Sequence, residues 1–149
     1  MEYQSYEIVG IFLLDFFIKR YIDKTYELGK KKAGFRNWFF IEKYYNKGAA
    51  FNFLENRPKL LKKIQTLLMV AVGIWLFVSI RRQEGIVQKA GIAFLIGGGF
   101  SNLFDRYTKG YVVDYMKFRF GPKWFRKLIF NVSDFFVFIG GILTVLGQE

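Results

Sequence analysis

Residues 64–80 read IQTLLMVAVGIWLFVSI, an uncharged run bounded by Lys62 and Lys63 on one side and by Arg81 and Arg82 on the other. A helix needs about 20 predominantly apolar residues, roughly 17 to 25, to cross the hydrocarbon core of a bilayer. The run meets that length, so the chain is read first as a membrane protein. Working outward, Leu128–Gly147 is a second apolar stretch, interrupted by Asp134 alone. Ile86–Phe104 is a third, with Lys89 near its end, where a long stem can reach the interface. Ile8–Ile18 is shorter and contains Asp15. Extended to Tyr3 and Ile22 it makes a fourth span that also carries Glu7, Lys19 and Arg20. An interfacial helix is the alternative. A span is preferred because Asp15 and Lys19, four residues apart, share a helical face and can pair.

Composition agrees with that reading. The 149 residues are 52% hydrophobic and 21% aromatic, yet 23% are charged. Apolar and charged residues must therefore be segregated along the chain, as the four runs show. A single domain over residues 1–149 is expected from the length, and no cleavable signal peptide is expected. The chain has no cysteine and no histidine. Disulfides, thiolate nucleophiles, Cys/His zinc sites and any Ser-His-Asp or Cys-His arrangement are excluded. No metal and no cofactor is expected. Acid–base chemistry near neutral pH is left to carboxylates, Lys, Tyr and water. The net charge of +11 points to an anionic partner. Next to apolar spans, membrane lipids are that partner, and nucleic acid is not.

Two segments between spans are more than linkers. The first, about Asp23 to Lys63, has strand-like aromatic stretches at Trp38-Phe39-Phe40-Ile41 and Phe51-Asn52-Phe53. The second, about Arg106 to Lys127, contains Tyr111-Val112-Val113-Asp114-Tyr115, where alternation puts Val112, Asp114 and Met116 on one face. Gly121-Pro122 then turns the chain, and Lys123 to Lys127 suits a short amphipathic piece at the membrane interface. The expected fold is thus membrane α-helical: four transmembrane helices, a small extramembrane β-sheet and a short interfacial helix. Gly97-x-x-x-Ser101 and Gly140-Gly141 read as sites of close helix packing.

Asp15, Asp105, Asp114 and Asp134 lie in or beside apolar runs. Such residues pair or work, because a charge at the bilayer centre costs about 2.5 to 3.5 kcal/mol on insertion scales. Asp15 with Lys19, and Asp105 with its neighbour Arg106, read as structural ion pairs. Asp114 and Asp134 have no basic neighbour in sequence, although Lys117 could approach Asp114. Asp134 sits about two turns into its span. If the strand bearing Asp114 folds back over the helices, the two carboxylates meet near the membrane surface and share a proton. One then activates water while the other acts as acid, which is aspartic-peptidase chemistry. Two unrelated aspartates, one a loop ligand and one a helix-cap acceptor, fit the spacing equally. A serine–lysine peptidase is set aside, because neither Ser101 nor Ser133 has an obvious lysine base. A small ion- or proton-coupled carrier that uses intramembrane Asp and Lys remains the alternative from another class.

Five ordered blocks narrow these choices. They are Asp15-x-x-x-Lys19, Asn46-Lys47-Gly48-Ala49-Ala50-Phe51, Gly97-Gly98-Gly99-Phe100-Ser101-Asn102-Leu103-Phe104-Asp105-Arg106, Gly110-Tyr111-Val112-Val113-Asp114-Tyr115 and Phe130-Asn131-Val132-Ser133-Asp134. In this order, on a four-span chain, they resemble the lipoprotein signal peptidases, also called type II signal peptidases. The departures are Gly99 for Ala, Ser101 for Gly, Ser133 for Ala and Tyr115 for Phe. The resemblance implies a membrane aspartic peptidase that removes the signal peptide from diacylglyceryl-modified prolipoproteins, on the amino side of the lipidated cysteine. It implies Asp114 and Asp134 as the catalytic pair. Asn46, Gly48, Ala49, Asn102, Asp105, Arg106 and Asn131 would be substrate-binding or supporting residues, with Asp15 and Lys19. A multi-pass protein of the bacterial cytoplasmic membrane, acting as a monomer with its active site on the outer face, is the corresponding expectation. Charge points the other way: only Arg81, Arg82 and Lys89 lie in the middle connection, and positive residues favour the cytoplasm. The ordered blocks are given precedence over the charge rule.

Overall fold

The computed structural model describes residues 2–148. Four helices carry most of the chain: α1 (Glu2–Thr25), α2 (Pro58–Arg81), α3 (Ile86–Thr108) and α4 (Val132–Leu146). Strands β1 (Lys31–Ala33) and β2 (Phe39–Asn46) lie between α1 and α2, and β3 (Val112–Phe118) lies between α3 and α4. The two inter-helix segments thus meet in one antiparallel sheet of order β1-β2-β3, with Tyr44 opposite Asp114 and Asn46 opposite Val112.

By length and composition α2 is the one helix among the described residues that is apolar enough to cross a membrane; α4 is apolar but shorter. Buried polar residues such as Asp15, Lys19, Asp105 and Arg106, with charged residues toward the ends, lower the hydropathy of α1 and α3 but leave apolar surface on the helices. Their outward faces remain apolar: Leu13, Leu14 and Phe17 on α1, Leu67, Leu68 and Ile74 on α2, and Phe138, Ile142 and Val145 on α4 are exposed. Contiguous apolar surface of this kind faces another apolar phase.

Glycine sets the helix spacing. A Cβ at Gly97 would lie 2.9 Å from Ile11 Cβ on α1, one at Gly98 would lie 2.6 Å from the Ser133 carbonyl oxygen, and one at Gly140 would lie 2.7 Å from the Gly91 carbonyl oxygen. Small residues let the backbones of α3 and its neighbours approach this closely. Gly141, by contrast, faces open space.

Four expectations change. The fourth apolar stretch begins as extended chain, where Phe130 bridges Met116. Helix α4 starts only after Asn131, so Asp134 stands in its first turn rather than two turns in. Phe51-Asn52-Phe53 is not a strand: Ala50–Asn52 forms a short 3-10 turn, with Phe51 and Asn52 at φ 57° and 59°. Ala49 N–H closes that turn onto the Phe53 carbonyl at 2.8 Å. The start of β3 is covered on both faces. Val113 and Tyr115 pack with Ile22 in the core, and Met116 packs against the same cluster rather than continuing the Val112–Asp114 face. The expected interfacial piece is a 3-10 turn at Phe125–Lys127.

Candidate active site

Each Asp side chain near the site is placed by its own element. Asp114 lies near the start of β3 and is 3% exposed. Asn46, at the end of β2, donates from Nδ2 to Asp114 Oδ2 at 2.9 Å. Asn131 donates from Nδ2 to Asp114 Oδ1 at 2.7 Å. Asn131 is also the N-cap of α4. Its Oδ1 accepts from the Asp134 N–H at 3.0 Å, and its own N–H donates to Asp134 Oδ2 at 2.9 Å. This reciprocal capping satisfies free donors at the helix start and fixes the Asp134 carboxylate there. One asparagine therefore holds both carboxylates, with no cation between them.

Asn102, on α3, completes the arrangement. It donates from Nδ2 to Asp134 Oδ1 at 3.0 Å, while its Oδ1 accepts from Lys19 Nζ at 2.8 Å and from Asn131 Nδ2 at 3.0 Å. An ammonium can only donate, so Lys19 fixes which end of the Asn102 amide faces Asp134. Lys19 is itself enclosed, 2.6 Å from Asp15 Oδ2 and 3.7 Å from Asp105 Oδ2. Burial, and then the negative charge of Asp134, push the Asp114 carboxyl up to about 7; the Asn46 and Asn131 donors and the Lys19 charge pull against that rise. The raised Asp114 carboxyl keeps its proton to higher pH than an ordinary aspartate, and both side chains present the acceptor oxygens that acid–base chemistry on a water requires.

Both carboxylates line one cavity of about 910 Å³. Asn46, Asn102 and Arg106 form its polar floor with them, and Ala49, Ala50 and Phe51 one edge. Gln65, Leu68, Met69 and Val72, spaced along one face of α2, form a largely apolar wall. A few convergent polar groups against an apolar wall is the usual anatomy of a site for a partly apolar ligand. No cluster of three or more His, Cys, Asp or Glu able to hold a metal occurs among the described residues.

A family model described as signal peptidase (SPase) II matches residues 8–148. The chain belongs to the signal peptidase II family. A lipoprotein signal peptidase of Chromobacterium violaceum is 32% identical over 137 residues, covering 91% of this chain and 83% of the relative. One from Neisseria meningitidis serogroup C is 38% identical over 111 residues, covering 74% of this chain and 66% of the relative. A solved bacterial membrane enzyme has the same fold, with a TM-score of 0.83 at 23% identity over 98% of this chain and 87% of that one. The protein is thus a membrane protein and a peptidase of the signal peptidase II family.

Within this signal peptidase II fold the residues expected from the sequence converge, with changed partners. Asp15 and Lys19 pair as expected, and Asp15 also accepts from Ser101 Oγ at 2.5 Å and from the Ser133 N–H at 3.2 Å. Asp105 and Arg106 do not form the expected ion pair, because successive residues of a helix face different ways. Asp105 instead meets Lys109 at 3.4 Å and accepts from the Val113 N–H at 3.2 Å. Arg106 donates to the carbonyls of Asn46 at 3.2 Å and Gly48 at 2.7 Å, clamping the turn beside Asp114. Lys117 does not approach Asp114; it pairs with Glu42 at 3.2 Å. Ala49 lines the cavity, but Gly48 is small for another reason, since a Cβ there would lie 2.9 Å from the Asn52 backbone.

Ser101 does have a lysine, since Lys19 Nζ lies 3.3 Å from its Oγ. That ammonium donates rather than accepts, the serine proton goes to Asp15, and Ser101 is 2% exposed, so the serine is still no nucleophile. Glu42 and Tyr44 on the cavity wall were not anticipated. Counting back by twos from Asn46 along β2 would have found them. The α2 wall was legible likewise, as the i, i+3, i+4, i+7 series from Gln65.

Proposed function

We propose that this protein is an aspartic endopeptidase that removes the signal peptide from diacylglyceryl-modified prolipoproteins, cutting on the amino side of the lipidated cysteine. The observation that carries the reading is Asn131, bonded to Asp114 through its side chain and to Asp134 through its backbone. It sets two carboxylates on one cavity with neutral donors only. In the proposed reaction one carboxylate takes a proton from a water whose oxygen attacks the scissile carbonyl carbon. The other gives its proton to the carbonyl oxygen. The tetrahedral diol then collapses: one of its hydroxyls returns a proton to the free carboxylate, the C–N bond breaks, and the leaving nitrogen takes the proton held by the other carboxyl. Asn46, Asn102 and Asn131 orient the pair, and Arg106 holds the Asn46–Gly48 turn in place. The apolar face Leu68, Met69 and Val72 suits the acyl chains of the lipidated residue.

In this reading the chain is one membrane-embedded unit. All four helices cross the bacterial cytoplasmic membrane, and the sheet and cavity mouth lie at the outer face. The outward apolar faces of α1, α2 and α4 support the spans. The test is cleavage of a diacylglyceryl-modified lipobox peptide by purified protein beside Asp114→Asn and Asp134→Asn. Cleavage by the parent and none by either variant is expected; normal processing by a variant removes that residue from the mechanism. Single cysteines at Lys31 and Arg82 test orientation: Lys31→Cys is expected to react with an impermeant reagent from outside, and labelling of Arg82→Cys alone overturns it.

A further inference from the structure

Between Asp114 and Asp134 the chain has Lys117, Arg119, Lys123, Arg126 and Lys127 and no carboxylate. Lys117 is engaged by Glu42, and the Arg119 guanidinium lies over the Phe40 ring at 4.0 Å. Lys123, Arg126 and Lys127 form no ion pair among the described residues, and all three are exposed. They alternate with rings: Phe120 is 55% and Trp124 56% exposed. This patch is not a loose loop. Phe125 stacks on Phe118 at 5.6 Å and packs on Phe130 at 5.5 Å, and Phe130 packs on Phe135 of α4 at 5.9 Å. Trp124 touches Phe51 of the cavity edge, with ring centroids 6.2 Å apart. The adjoining residues Lys127 to Phe130 line the cavity.

We infer that residues 119–127 form a binding surface for anionic phospholipid headgroups, with Lys123 and Arg126 on the phosphate and Trp124 and Phe120 in the acyl boundary, seating the cavity mouth on the membrane. The inference rests on the reading of the helices as spans. Charge complementarity selects the partner: unneutralised cations beside amphipathic rings, on the segment that leads into the apolar helix α4, match a surface that is anionic outside and apolar beneath. An acidic peptide would use the cations but leave the exposed rings unburied.

The test uses the full chain in lipid nanodiscs, in a Trp38→Phe/Trp75→Phe background that leaves Trp124 as the sole tryptophan. Its fluorescence is quenched by brominated phosphatidylglycerol or brominated phosphatidylcholine at equal mole fraction. Preferential quenching by the anionic lipid is expected, with a local enrichment on the order of tenfold. Lys123→Gln/Arg126→Gln should abolish the preference. Arg81→Gln/Arg82→Gln, which removes the same charge elsewhere, should leave it intact. Native mass spectrometry of the otherwise unsubstituted chain, with and without the Lys123/Arg126 pair, gives the same comparison should the single-tryptophan background fold poorly. Equal quenching by both lipids, loss of preference in both charge variants, or tighter binding of a Glu-rich peptide than of anionic lipid overturns the proposal. None of these readouts needs proteolysis, so failure of the peptidase reading is seen separately.

Discussion

Asp15 and Asp105 lie around Lys19, whereas Asp114 and Asp134 lie around Asn131. Asp15, Asp105 and Asp114 are each no more than 3% exposed, so burial alone does not separate the two groups. Partners do. For a buried carboxylate beside an ammonium, the cation offsets part of the cost of losing water. A buried carboxylate held by amides gains hydrogen bonds but no cation in direct contact, so burial and a second carboxylate beside it raise its affinity for a proton. In the proposed mechanism the second of these regions supplies the movable proton. Asn102 joins them, with its oxygen toward Lys19 and its nitrogen toward Asp134.

The largest expected effect breaks this comparison at its titrating end. Asp114→Asn should lower the cleavage rate on the order of 10³-fold or more, since the amide neither takes nor gives the proton. The protein should remain folded, because Asn can keep one of the two amide contacts and removes a costly buried charge. Single-turnover cleavage of a lipobox peptide, read beside the thermal midpoint in detergent, separates these effects. A loss of activity that merely tracks unfolding would make Asp114 a structural residue like Asp15.

Lys19→Met probes the fixed-charge end. It leaves Asp15 and Asp105 buried without their common cation, and breaking such a pair by removing one partner costs roughly 3 to 5 kcal/mol. The thermal midpoint should fall sharply, and activity with it. Because Met cannot donate, the Asn102 amide also loses the contact that orients it. Lys19→Met/Asp15→Asn should recover much of the stability; a double variant no more stable than the single one would show that the two charges do not compensate each other.

The same contrast explains what was legible in the sequence. Asp15 and Lys19 share a helical face four residues apart, so their pairing followed from geometry along one element. Asp105 with Lys109 obeys the same rule, whereas the adjacent Arg106 faces another way on the helix. The proposed catalytic pair was different. Asp114 and Asp134 are joined by Asn131, and nothing in local spacing shows that β3 passes beside the start of α4; ordered motif blocks were needed to connect them. The sheet was half legible. Its β2 and β3 segments alternate, but the turn after Asn46 is gripped by Arg106 from α3 through the Asn46 and Gly48 carbonyls, a long-range contact that local pattern does not show. The delayed start of α4 was readable from Asn131-x-x-Asp134, a capping pattern that the continuous apolar run obscured.

A smaller effect is the pH dependence of stability. The folded Asp114 carboxyl holds its proton up to about 7, whereas its ordinary value is 3.8. Between these values the folded state binds the proton and the unfolded chain does not, so stability falls as pH rises, by up to about 1.4 kcal/mol per pH unit. The thermal midpoint should decline across that window in the parent and much less in Asp114→Asn, the variant gaining its largest advantage above pH 7. Parallel profiles for the two proteins would mean that Asp114 is not the group responsible.

The finest test leaves both carboxylates in place and changes one neutral donor. Asn46 Nδ2 lies 2.9 Å from Asp114 Oδ2 and favours the ionised form. Asn46→Ala removes that donor without altering any charge. The Asp114 carboxyl should then hold its proton to higher pH, and the alkaline limb of the kcat/KM profile should move upward by about half to one unit. The rate at the optimum should fall as well, because Asn46 Oδ1 also accepts from the Gly48 N–H at 3.0 Å and steadies the turn beside the cavity. A mere loss of the turn would lower the profile without moving its limb. A shifted limb ties the neutral donor to the shared proton, and that is the property separating the Asn131 pair from the carboxylates around Lys19. An alkaline limb that stays fixed or moves downward would place the titrating group elsewhere.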